Sequence, residues 1–259
     1  MDGRLILIGT GASLAAGLAT GIGALPVLFM RRLSGQVQDA LLGFAAGVML
    51  AASFLSLILP GIEAVRAETG SGTAGAAIVG AALLIGAAAL RAANRLVPHE
   101  HFVFGLAGRR SPVLRRIWLF VAAITLHNFP EGLAVGIGFG GGDLANGTTL
   151  AIAIGLQNMP EGLAVAAALV SLGYARHAAL RVALATGLVE PLGGLLGAAT
   201  VAVSQPLLPW GMGFAAGAML FVISNEIIPE THRKGHEDAA TVGLMVGLVV
   251  MTMLDTAFT

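Results

Sequence analysis

Eight apolar runs, each near the length of a bilayer crossing, leave this chain few choices of fold. They cover about residues 5–30, 38–60, 74–93, 117–139, 146–172, 178–204, 209–228 and 239–258. A crossing helix needs about 20 mostly apolar residues, and lipid offers the backbone no hydrogen-bond partner outside its own helix. Only 11% of the 259 residues are charged, against about 25% in a soluble domain. Mean hydropathy is +0.88. The expectation is an all-α polytopic membrane protein, one domain of eight transmembrane helices over residues 1–259. The first run, Leu5 to Met30, exceeds the roughly 7–15-residue core of a signal peptide and reads as a span. The 37 glycines suit helices whose backbones approach closely. With no cysteine, disulfides and thiolate metal sites are excluded. Zero net charge and the lack of a basic patch give no ground for a nucleic-acid partner.

Orientation follows from the basic residues. With the N-terminus outside, the inner loops hold Arg31, Arg32, Arg91, Arg95, Arg109, Arg110, Arg115, Arg116, Arg176, Arg181, Arg233 and Lys234, leaving only Arg4 and Arg66 outside. Both termini are therefore expected on the extracytoplasmic side. Lys234 is the single lysine among the 14 basic residues, a bias that points to a GC-rich bacterial source and so to a bacterial inner membrane. The longest polar segment, about 94–116, is expected in the cytoplasm between spans 3 and 4.

Two near-copies break the apolar pattern. Leu126-His127-Asn128-Phe129-Pro130-Glu131-Gly132-Leu133-Ala134-Val135 lies in span 4, and Leu156-Gln157-Asn158-Met159-Pro160-Glu161-Gly162-Leu163-Ala164-Val165 in span 5. At helical spacing, His127 and Glu131 share a face, with Asn128 beside them; Gln157, Asn158 and Glu161 repeat the arrangement. Pro130 and Pro160 cannot bond the carbonyls of Leu126 and Leu156, so both helices are expected to be broken there. A second duplication joins span 2 to span 7: Gly43-Phe44-Ala45-Ala46-Gly47-Val48-Met49-Leu50 against Gly213-Phe214-Ala215-Ala216-Gly217-Ala218-Met219-Leu220. These spans cross in opposite directions, as in transporters built from inverted repeats.

An ionisable group at the bilayer centre costs about 2.5–3.5 kcal/mol. Two glutamates facing each other also repel, and no Lys or Arg lies at their depth. A proton can neutralise one of them; a divalent cation can neutralise both. His127, Glu131, Gln157 and Glu161 together offer one nitrogen and several oxygens, a set suited to Zn and neighbouring transition metals. Met49, mid-span in span 2, could add a thioether or simply pack. Glu190, followed by Pro191 in span 6, is a third mid-span acid without a counter-ion. Asn225 and Glu226 near the inner end of span 7 are candidate exit ligands or an interfacial cap. His99 and His101 between spans 3 and 4, and His232 and His236 after span 7, are candidate loop ligands or solvated polar residues. His177 reads as surface, and Asp39 and Asp255 as interfacial.

On these motifs the chain resembles the ZIP (Zrt/Irt-like protein) family of divalent metal transporters. His127-Asn128-Phe129-Pro130-Glu131-Gly132, Gln157-Asn158-Met159-Pro160-Glu161-Gly162, Glu190 and Asn225-Glu226-Ile227-Ile228-Pro229-Glu230-Thr231-His232 carry the likeness. The resemblance implies an inverted repeat of helices 1–3 and 6–8 around helices 4–5, and a binuclear site. Met49, His127, Glu131, Gln157 and Glu161 would form the first position; Asn128, Asn158, Glu161 and Glu190 the second, with Glu161 bridging. It also implies transport of zinc, and of iron, manganese or cadmium, toward the cytoplasm, by sliding of spans 1, 4, 5 and 6 against the rest. Relatives can carry Asp at position 158 and His at 225. An amide is a weaker ligand than a carboxylate, so one strong and one weak position are expected.

The function expected is import of Zn²⁺ or a related divalent ion, not an enzymatic activity. The ion is substrate, no prosthetic group is expected, the bilayer is the surrounding partner, and a homodimer is left open. A passive metal channel is a rival that sequence does not separate. An intramembrane metallohydrolase is a weaker one, since no His-Glu-x-x-His stands in the chain. A metal sensor would need a signalling domain that the sequence does not display.

Overall fold

A computed structural model describes residues 3–30, 34–96, 112–233 and 235–258. His99 and His101 lie outside the described residues, as does most of the polar segment around them. Among the described residues there is no β-strand. The helices are α1 (Gly3–Ala24), α2 (Gly35–Ala52), α3 (Leu59–Thr69), α4 (Gly72–Leu96), α5 (Pro112–Gly140), α6 (Leu144–Ser171), α7 (Arg176–Gly187), α8 (Glu190–Val203), α9 (Leu208–Val222), α10 (Ile228–Thr231) and α11 (Glu237–Phe258). Seven helical stretches among the described residues are long and apolar enough to cross a membrane: Gly3–Leu28, Gly35–Thr69, Gly72–Ala93, Leu144–Ser171, Arg176–Val203, Gln205–Thr231 and Glu237–Ala257. The 29 residues of α5 form a further helix roughly 43 Å long. Leu7, Leu84, Val203, Val242 and Met253 are 63–76% exposed, outward-facing apolar side chains of a multi-pass membrane protein.

Local sequence accounts for the ends. Ser34 Oγ accepts the Val37 N–H at 3.3 Å and starts α2. Asp143 accepts the Asn146 N–H at 3.0 Å and starts α6. α3 stops at Gly70, whose φ of 72° lies in the left-handed region that glycine adopts freely.

The expected breaks at Pro130 and Pro160 do not occur: α5 and α6 are continuous through both prolines. Each proline removes one backbone bond, and the helices packed on either side hold the segment in place. The interruptions lie elsewhere. Span 6 divides between Gly187 and Glu190, immediately before Pro191. A π-helical turn, Ser53–Ile58, joins α2 to α3, and another, Ile223–Ile227, joins α9 to α10. Leu59 N–H reaches back five residues to Phe54, and Ile228 N–H to Ile223. Pro60 and Pro229 follow directly. The two turns therefore end both duplicated blocks in the same way, and such turns are common at functional positions.

The duplicated glycines also pack alike. A Cβ on Gly43 would sit 2.1 Å from the Ala240 carbonyl oxygen, and one on Gly47 2.0 Å from that of Leu244, both in α11. On α9, a Cβ on Gly213 would sit 2.6 Å from the Val79 carbonyl oxygen, and one on Gly217 2.0 Å from that of Leu83, both in α4. Hydrogen bonds tie the two ends of the bundle. At one end Arg176 donates to the Leu28 carbonyl (2.8 Å) and Trp118 Nε1 to the Tyr174 hydroxyl (2.9 Å). At the other, Asn146 donates to the Ser56 carbonyl (3.1 Å) and Ser56 Oγ to Asp255 (2.8 Å). An apolar core containing Leu42, Ile154, Met219, Ile223 and Met251 fills the space between α2, α6, α9 and α11.

Candidate metal centre

Helix spacing puts the polar residues of the twin motifs on facing stripes of α5 and α6. His127 is 1% exposed; Asn128, Glu131, Gln157, Asn158, Glu161 and Glu190 are all at 0%. They form two clusters. In the first, His127 Nε2 faces Glu161 Oε2 at 3.4 Å and His127 Nδ1 faces Glu226 Oε2 at 3.7 Å. Gln157 Nε2 donates to Glu131 Oε1 at 2.5 Å. In the second, Asn158 Nδ2 donates to Glu190 Oε1 at 2.6 Å and to the Ala16 carbonyl at 2.8 Å. Ser13 Oγ donates to the Glu190 backbone carbonyl at 2.8 Å. Glu190 opens α8, where the helix dipole favours an anion.

Among the described residues, no arginine or lysine forms an ion pair with Glu131, Glu161 or Glu190. Several buried atoms have no hydrogen-bond partner: Thr20 Oγ1, Asn128 Oδ1 and Nδ2, Glu131 Oε2, Gln157 Oε1, Asn158 Oδ1, Glu161 Oε1 and Glu190 Oε2. Each such group costs about 1–3 kcal/mol, and native structures carry only a few. Their concentration around the twin motifs, as oxygens apart from Asn128 Nδ2 and His127 Nδ1, fits a cation as the missing partner. Among the described residues, no three His, Asp or Glu side chains are gathered into a group that could hold a metal by itself. Amide oxygens of Gln157, Asn128 and Asn158 would have to complete the shell. The donor set then matches intermediate transition metals at the cluster with His127, and harder oxygen coordination at the cluster without it.

The other candidate residues fall as follows. Met49 is fully buried within the apolar core of α2. Glu226 is carried by the π-helical turn toward His127, so it borders the first cluster. Asn225 is exposed. His232 is exposed and held locally, its Nδ1 2.9 Å from the Ile228 carbonyl. His236 Nδ1 lies 2.8 Å from Asp39 Oδ2. Asp39, in the second turn of α2, is 0% exposed, because α11 packs over the start of α2 and His236 lies against it. Asp255 lies at the membrane-end network with Ser56, and His177 is exposed.

Residue patterning in spans 4 to 6 alone misses the contribution of α1: Ser13, the Ala16 carbonyl and Thr20. A signal for it exists. Gly17-Leu18-Ala19-Thr20-Gly21-Ile22-Gly23 aligns with Gly187-Leu188-Val189-Glu190-Pro191-Leu192-Gly193 at the same offset that relates the two Gly-Phe-Ala-Ala-Gly blocks.

Comparison with known proteins agrees with this geometry. The family model described as ZIP Zinc transporter matches residues 107–255. The chain is 47% identical to the zinc transporter GufA of Myxococcus xanthus, over 94% of this chain and 96% of that protein. It is 51% identical to the zinc transporter ZIPB of Bordetella bronchiseptica, over 94% of this chain and 79% of that protein. It is 34% identical to the human zinc transporter ZIP11, over 86% of this chain and 89% of that protein.

Proposed function

The chain belongs to the ZIP zinc transporter family, and from that premise we propose that it carries Zn²⁺ or a related divalent ion across the membrane into the cytoplasm through the clusters on α5 and α6. The observation that carries this reading is the set of buried carboxylate and amide oxygens that no hydrogen bond satisfies, on glutamates that no arginine or lysine among the described residues pairs with. Met49, His127, Glu131, Gln157 and Glu161 form the first ion position. Asn128, Asn158, Glu161 and Glu190 form the second. Glu226, next to His127, receives the ion on the inner side.

We assign α5 as the eighth span, and helices 1–3 and 6–8 as inverted repeats. Matching π-helical turns and matching glycine contacts support that assignment. The basic-residue bias supports placing both termini outside. An ion entering from outside exchanges water for carboxylate and imidazole ligands, and the proteins of this family named above are described as zinc transporters.

The test is uptake of zinc into liposomes holding the purified protein, followed with an indicator dye. Saturable uptake in the intact protein and its loss in both Glu131→Ala and Glu161→Ala are expected. Normal uptake in both variants would move the ion path elsewhere. Flux that does not saturate would favour a channel.

A further inference from the structure

We propose that Thr20 supplies a hydroxyl oxygen to the second ion position, as the uncharged counterpart of Glu190 in the other half of the molecule. This rests on the ion path assigned above and adds a helix, α1, to its lining.

Packing places Thr20 and Glu190 equivalently. A Cβ on Gly132 would sit 2.0 Å from the Glu190 carbonyl oxygen, and one on Gly162 1.9 Å from the Thr20 carbonyl oxygen. A Cβ on Gly193 would likewise run into the Phe129 carbonyl, and one on Gly23 into the Met159 carbonyl. A Cβ on Gly17 would meet the Gly187 carbonyl, and one on Gly187 the Gly17 carbonyl, so the two glycines pack backbone to backbone. A Cβ on Gly17 would lie 3.4 Å from Glu190 Cβ, and one on Gly187 2.7 Å from Thr20 Oγ1. So α1 meets the second motif as α8 meets the first. Glu190 touches Gly132 of α5 with its carbonyl and extends its carboxylate to Asn158 of α6. In the proposal the same relation, applied to Thr20 at Gly162 of α6, assigns its side chain to the side of Asn128 of α5, the counterpart of Asn158.

The hydrogen bonding supports a ligand rather than a structural role. A helical threonine ordinarily donates to the carbonyl four residues back, as Thr10 does to Ile6 (2.7 Å) and Thr125 to Val121 (2.8 Å). For Thr20 that acceptor is Ala16, whose carbonyl accepts from Asn158 instead. Thr20 is 1% exposed and Oγ1 has no partner; nor has either amide atom of Asn128. A buried hydroxyl and a buried amide at mirrored positions, both without partners, answer to one acceptor of oxygen ligands. That acceptor is a divalent metal cation, held by oxygens only and retaining water.

The experiment titrates zinc chloride into the metal-free, detergent-solubilised full-length protein by calorimetry, with thermal unfolding measured alongside. Two binding events are expected. Thr20→Val, which keeps the shape and removes the hydroxyl, should weaken the weaker event roughly tenfold and leave the tighter one in place. Thr20→Ser should restore it. The metal-free unfolding temperature of Thr20→Val should stay level or rise, since an unpartnered hydroxyl has been removed. A Thr20→Val isotherm that superimposes on the parent, or a parent that binds a single zinc, overturns the inference and leaves the transport reading standing. Equal weakening of both events with a lower metal-free unfolding temperature assigns Thr20 a packing role and also overturns it. A parent that binds no zinc overturns the transport reading itself.

Discussion

The side-chain amide of Asn158 bridges three helices: from α6 it donates to Glu190 of α8 at 2.6 Å and to the Ala16 carbonyl of α1 at 2.8 Å. Both partners are acceptors, so the orientation of the amide is set by chemistry. Asn158→Asp removes both donors and sets a second carboxylate against Glu190. Metal-free stability should fall by about 2–4 kcal/mol. Zinc should then stabilise the variant more than the parent, because two facing carboxylates bind a cation better than an amide and a carboxylate. Thermal unfolding with and without zinc reads both effects; an unchanged metal-free protein would show that the amide does not clamp these helices.

Removing His127 tests the first cluster. His127→Ala deletes its only nitrogen ligand and should cut zinc uptake at least tenfold, roughly the loss seen for single groups around metal sites. His236→Ala, which changes the Asp39 contact at the bundle end, should leave saturable uptake in place. Equal loss in both variants would mean that the His127 result reports folding.

Met49 separates packing from ligation. Met49→Leu conserves volume in a fully buried position and should cost less than about 1.5 kcal/mol. Loss of the thioether should reduce cadmium uptake more than zinc uptake, because sulfur favours the softer ion. Matched uptake of both metals in parent and variant would confine Met49 to the apolar core.

Gly132 and Gly162 set how closely α8 and α1 approach the twin motifs. Alanine at either position drives a methyl into a backbone carbonyl, Glu190 in one case and Thr20 in the other. Each should destabilise by about 1–3 kcal/mol and lower uptake by separating the ligand helices. A Gly132→Ala variant with parental unfolding and transport would contradict the close contact with α8.

Acid should oppose transport. Carboxylate and imidazole ligands bind metal only when deprotonated, so protons compete with the ion and affinity falls as pH falls. Zinc uptake should therefore decline from roughly pH 8 to pH 5. A flat profile over that interval would argue against these ligands at the working site.

What the sequence determined by itself is the class of structure and the chemistry of its centre. Apolar runs of bilayer length dictate helices, because backbone groups in lipid have no other partner. Duplicated Pro-Glu-Gly motifs without an Arg or Lys counterpart mark a buried polar centre, because a carboxylate at that depth needs a partner or a proton. Helical spacing placed His127, Glu131, Gln157 and Glu161 on facing stripes, and the bundle brings them together. Tertiary structure decided the rest. Local propensity alone would break α5 and α6 at their prolines, yet packing carries both helices through and shifts the interruptions to Gly187–Glu190 and the two π-helical turns. That Asp39, a span-end acid by sequence, is fully buried follows only from α11 packing over it. Thr20 looks like an ordinary helical threonine until Asn158, 138 positions away in sequence, takes the carbonyl it would have used. Burial and partner choice depend on which helices meet, and that is a property of the assembled bundle, not of any one segment.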